Sequence, residues 1–97
     1  AQDRGSMLFT TAVQIAVAFD EALAELQEET VAGRVARYRG AAEFLRAGYR
    51  RLGLRLLVPE GWRSNCLTSL HLPEGLTYER LHDALRARGF VIYEGQG

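Results

Sequence analysis

The sequence predicts an α/β (α+β) domain of order α-α-β-β-α-β, a small three-stranded sheet covered by helices. Three observations predict it. Two long stretches in the first half carry apolar residues at spacings of three and four, the period of a helix. Residues 54–58 and 64–72 are short β-compatible runs bounded by glycine and proline. The last third reads as strand, capped helix and strand, ending on an apolar run at 90–93 of the kind that fills a buried strand. With 97 residues the chain is expected to form one domain over 1–97, with a core of little margin.

Ala1 to Ser6 is polar and reads as an extended lead-in. A first helix is expected from Thr10, with Thr10 or Thr11 as its cap. Ala12, Ile15, Phe19, Ala22, Leu23 and Leu26 form one face of it. Val13 and Val17 fall outside that face, so the first half is apolar nearly all round and calls for burial on two sides or a partner. Asp20, Glu21, Glu25, Glu28 and Glu29 give the second half an acidic, solvated face.

A second helix is expected over 31–52. Val35, Tyr38, Ala42, Leu45, Tyr49 and Leu52 make a single stripe, and Arg34, Arg37, Arg46, Arg50 and Arg51 lie on other faces. Gly33, Gly40 and Gly48 each cost such a helix roughly 1 kcal/mol relative to Ala. Three of them suggest close approach of a neighbouring element. Gly53 ends the helix.

The strand at 54–58 stops at Pro59, and Glu60-Gly61-Trp62-Arg63 connects it to the strand at 64–72, most simply as an antiparallel pair. Pro73-Glu74-Gly75 breaks the second strand. Thr77 then caps a third helix, with Leu76 and Leu81 at the positions of a hydrophobic staple. Gly89 is placed as C′ and Phe90 as C″ of a Schellman motif, against Leu85. The strand at 90–93 follows, parallel to its predecessor through a right-handed crossover. On this reading Phe90 is buried, and Phe90→Ala costs far more stability than the exposed change Tyr78→Ala.

Composition excludes several classes. Apolar residues make up 47% and charged residues 25%, a globular balance rather than a disordered one. The formal charge is +0, which removes the field of a dedicated nucleic-acid binder. No run approaches a membrane span and nothing near Ala1 resembles a signal peptide, so no membrane partner is expected. Cys66 is the single cysteine, which favours a reducing, cytoplasmic setting. All 12 basic residues are arginine. With no lysine, chemistry that runs through a lysine imine is closed to this chain by itself.

Candidate sites are few. Cys66, His71 and His82 fit no metal-ligand spacing, and on a strand Cys66 and His71 point to opposite faces, so no metal is assigned. Cys66 has only His71 nearby to lower its thiol pKa and reads as a half-buried strand residue. The arginines of the second helix lack the interleaved aromatics of a single-strand binder and read as a solvated face. Gly95-Gln96-Gly97 is too short for a dinucleotide fingerprint, and the stop there reads as an interrupted domain.

Four segments together carry a resemblance: Phe9-Thr10-Thr11-Ala12-Val13-Gln14, Val31-Ala-Gly-Arg-Val-Ala-Arg-Tyr38, Leu76-Thr-Tyr-Glu-Arg-Leu-His-Asp-Ala-Leu85 and Arg88-Gly-Phe-Val-Ile-Tyr-Glu-Gly-Gln-Gly97. The chain resembles the C-terminal part of class V, fold type I pyridoxal-phosphate aminotransferases, specifically the 2-aminoethylphosphonate:pyruvate aminotransferases. The likeness runs from Phe9 to Gly97, and Gly89-Phe-Val-Ile-Tyr93 is its most specific piece. It implies the C-terminal small domain of such an enzyme, and amino transfer from 2-aminoethylphosphonate to pyruvate in a homodimer with active sites between subunits. The Phe9–Thr10 pair resembles the family segment that reaches the neighbouring subunit's cofactor. The resemblance therefore makes Thr10 a contact to the phosphate of pyridoxal phosphate, by its hydroxyl and a helix N-terminal amide.

Two departures accompany it. The family has proline where Thr11 stands, and the large domain with its imine-forming lysine is absent, as is an arginine beyond Gly97 that would hold a substrate acid group. No catalytic residue is assigned and no cofactor is expected on the isolated chain. The reading is a fragment of a transaminase, inactive alone. Its rival is a small noncatalytic binding or assembly module that self-associates through the first helix.

Overall fold

The computed structural model describes residues 10–95. The lead-in expected at Ala1–Ser6, Phe9 of the Phe9–Thr10 pair, and the last two residues of the glycine-rich end lie outside them. Three helices form, α1 (Val13–Glu29), α2 (Val31–Arg51) and α3 (Tyr78–Arg86), with a 3₁₀ turn at Glu60–Trp62. The chain divides into two compact units, residues 1–36 and 37–97, with the division falling inside α2.

In the first unit, α1 starts later than its sequence suggests. Its N-cap is Ala12, with no side-chain cap bond, and the first helical link runs from the Ala16 amide to the Ala12 carbonyl at 3.1 Å. Thr10 and Thr11 lie upstream of the cap position, so neither serves as the N-cap expected of them. Thr30 ends α1 and opens α2. Its amide donates to the Leu26 carbonyl at 2.8 Å, and its hydroxyl accepts from the Gly33 amide at 3.0 Å. One residue makes both caps by taking φ 69 and ψ 154, a conformation that β-branched residues rarely adopt. Arg34 Nε pairs with Glu29 Oε2 at 2.7 Å across the same joint.

The helical glycines divide. A Cβ on Gly33 would stand 3.2 Å from Thr30 Oγ1, so that position is tight. Among the described residues nothing approaches Gly40 and only the end of the Arg51 side chain approaches Gly48, so they do not make the close approach expected at these two.

In the second unit, α2 ends in a Schellman motif. Gly53 takes φ 78, its amide donates to the Arg50 carbonyl at 2.9 Å, and the Leu54 amide donates to the Tyr49 carbonyl at 3.0 Å. The end of α3 repeats this around Gly89, with Gly89 N–H to Arg86 O and Phe90 N–H to Leu85 O, both at 3.0 Å. Thr77 caps α3 by accepting from the Arg80 amide at 3.3 Å.

The three-stranded sheet is not there. Among the described residues no strand forms, and the fold is helical rather than α-α-β-β-α-β. What pairs is one antiparallel bridge, Leu56 opposite Leu70, flanked by Leu57 N–H to Ser69 O and His71 N–H to Arg55 O, both at 2.9 Å. It does not lengthen into a ladder. Pro59 lacks an amide donor, the 3₁₀ turn follows directly, and Arg46 captures the Ser64 carbonyl. Among the described residues the run at 90–93 has no strand partner. Phe90 gives its amide to α3, and the Ile92 carbonyl accepts from Tyr78 Oη at 3.1 Å. Strand-competent residues become strands only where an edge is offered to them.

The same result reads in burial. Among the described residues the only buried apolar side chain is Ala42, so the stripe expected along α2 and the face expected along α1 are largely open. Phe90 is 64% exposed, and Val91 and Tyr93 are exposed with it, which overturns the buried strand. Tyr78, expected outside, is half-buried.

Candidate functional site

Thr10 is exposed and lies outside α1. The first turn of α1 carries no acidic residue and has no side-chain cap, so its free amides keep the partial positive charge of a helix start. A threonine hydroxyl just upstream of such amides suits the phosphate end of a cofactor. The covalent end is a different matter, since the chain contains no lysine to hold it.

The second unit is built around Arg46, the one buried charged residue among those described, at 8% exposed. It follows Ala42 by one turn, on the inner face of α2. Nη2 donates to the Ser64 carbonyl and Nη1 donates to Asn65 Oδ1 at 3.4 Å, while Nε is buried with no partner. Arg63 repeats the theme on the other side of the connection, donating from Nε to the Val58 carbonyl at 2.8 Å. Arginine side chains thus do for this irregular segment what strand partners would otherwise do, satisfying its carbonyls. The sequence reading placed Arg46 on a solvated face. Its i+4 relation to Ala42 was the available signal.

Two open clefts lie in this unit. One, of about 510 Å³, is lined by residues of the 53–55 and 71–74 segments, His71 and Arg55 among them. The other, of about 270 Å³, is lined mainly by arginines and glutamates of α2 and the connection. Neither contains a nucleophile beside a base. Cys66 is exposed rather than half-buried and His71 is exposed. His82 Nδ1 lies 3.2 Å from Asp83 Oδ1, and its ring stands 5.6 Å from that of Tyr78. Among the described residues no group of three or more histidines, cysteines and carboxylates is placed to hold a metal. No helix there is long and apolar enough to cross a membrane.

The chain is similar to proteins named 2-aminoethylphosphonate–pyruvate transaminase. With that of Syntrophobacter fumaroxidans it shares 42% identity over 95 residues, 95% of this chain and 26% of the relative. With that of Bacillus cytotoxicus it shares 38% over 94 residues, 95% of this chain and 26% of the relative. With that of Aeromonas hydrophila it shares 38% over 98 residues, 98% of this chain and 26% of the relative. The chain therefore spans about a quarter of the length of the curated relatives it matches. No family model and no solved structure matches it.

Proposed function

We propose that the chain is the C-terminal part of a pyridoxal-phosphate transaminase that moves the amino group of 2-aminoethylphosphonate to pyruvate, giving phosphonoacetaldehyde and alanine. The observation that carries this is the 42% identity to a relative of that name across 95% of the chain. The exposed apolar surface supports it, because a piece of a larger enzyme keeps its main contacts with the remainder. Val91 and Tyr93 are side chains of that kind.

Pyridoxal phosphate, when bound, supplies the electron sink that lets an amino group pass between substrates. The contribution of this chain is to bind and orient. Thr10 and the amides at the start of α1 hold the phosphate end in the site of a neighbouring subunit. The assembly is a homodimer, and α1 is the element that needs a partner. Val13, Ile15, Val17 and Phe19 are 60% to 71% exposed, and they also favour self-association should the chain act as a noncatalytic module.

A chimera tests the reading. This chain replaces the matching quarter of the Syntrophobacter fumaroxidans relative, and alanine formation from pyruvate is followed. Transamination dependent on 2-aminoethylphosphonate is expected. A folded, cofactor-loaded chimera without it contradicts the proposal.

A further inference from the structure

We propose that the arginine-lined cleft of the second unit binds a small tetrahedral dianion, phosphate or an alkyl phosphonate. This rests on the cleft alone and not on the transaminase reading. Arg39, Glu43, Arg46 and Arg50 recur at spacings of four, three and four, and so share one face of α2. Glu60 and Arg63 line the same space of about 270 Å³.

Charge is the first argument. Four guanidiniums stand against two carboxylates, and among the described residues none of the six forms an ion pair. A dianion neutralises the surplus of two, whereas a monoanion leaves half of it. Arg46 is the second argument. It is 8% exposed, its partners are the neutral Ser64 carbonyl and Asn65 side chain, and its Nε has none. A buried charge is stable when an opposite charge accompanies it, and among the described residues no carboxylate is paired with Arg46. Arg50 lies one turn further along, and like charges at that spacing repel.

An oxyanion in the cleft relieves both conditions. Guanidinium forks offer paired N–H donors that match the oxygens of a phosphate or phosphonate.

The test follows the arginine Nε–H signals of the isotope-labelled chain by NMR, as inorganic phosphate or methylphosphonate replaces chloride at constant ionic strength. Saturable shifts of the Arg46 and Arg50 signals are expected, with half-saturation at about 1 mM. Arg50→Ala and Arg39→Ala change exposed side chains, keep the fold, and should each weaken binding several-fold. A stronger response to methylphosphonate assigns the cleft to organic phosphonates, and an equal response assigns it to tetrahedral dianions generally. Shifts that do not saturate, or that survive unchanged in both variants, overturn the proposal.

Discussion

Tyr78 Oη donates to the Ile92 carbonyl at 3.1 Å, so the first turn of α3 holds the segment that follows its end. The ring adds a tilted contact with His82 one turn along. Phe90, expected to be buried against Leu85, is mostly exposed and contributes through its backbone amide to the Leu85 carbonyl instead.

The two aromatic positions therefore exchange roles. Tyr78→Phe should lose the hydrogen bond at about 0.5–1.5 kcal/mol. Tyr78→Ala should cost more than that, and more than Phe90→Ala, which should fall within about 1 kcal/mol of the parent chain. Urea melts of the three variants check the order. A larger loss for Phe90→Ala would restore the buried strand.

How much was legible follows from which signals are local. Thr77, Gly53 and Gly89 mark helix ends through interactions within one or two turns, and all three stand where the sequence placed them. The strands were not legible as absent, because all three runs have the right residues. The runs at 54–58 and 64–72 meet in a single bridge that Pro59 and the 3₁₀ turn keep from lengthening, and 90–93 has no strand partner among the described residues. Thr30 and Arg46 were missed for the opposite reason. A threonine with positive φ and a buried arginine oppose ordinary preference, and only their contacts reveal them. The likeness to the named transaminases was legible from sequence, extends over 95% of the chain and did not depend on the sheet.

The joint at Thr30 gives a second prediction. Thr30→Ala loses the hydroxyl that accepts from Gly33 and keeps the unfavourable φ, at a cost of about 1 kcal/mol. Thr30→Gly also loses the bond but relieves the backbone, so it should be close to neutral. Thermal melts followed by circular dichroism distinguish them. Equal losses would mean that the backbone there is unstrained.

Self-association is the third. Pairing of α1 with a second copy would bury Val13 and Val17, which lie four residues apart on one face, each worth roughly 1.5–3 kcal/mol when fully covered. The double variant Val13→Glu, Val17→Glu should be monomeric under conditions where the parent chain is dimeric. Sedimentation equilibrium measures both. A parent chain that stays monomeric at high concentration without aggregating counts against the homodimer.

With all 12 basic residues arginine, pyridoxal phosphate should form no reducible bond to any side chain of the isolated chain. Borohydride treatment followed by peptide mass mapping should find label at most on the terminal amine. A labelled internal residue would show a nucleophile that the sequence does not contain.

The most direct measurement is the rate at which the chimera with the Syntrophobacter fumaroxidans relative makes alanine from pyruvate. Two donors are compared, 2-aminoethylphosphonate and β-alanine, which carries a carboxylate in place of the phosphonate. A chain that is a working part of such a transaminase should support turnover within about tenfold of the parent enzyme, a difference of roughly 1.4 kcal/mol in the barrier. It should also keep the preference for the phosphonate donor. A chimera that folds and holds the cofactor, yet turns over neither donor or no longer distinguishes them, would contradict the account.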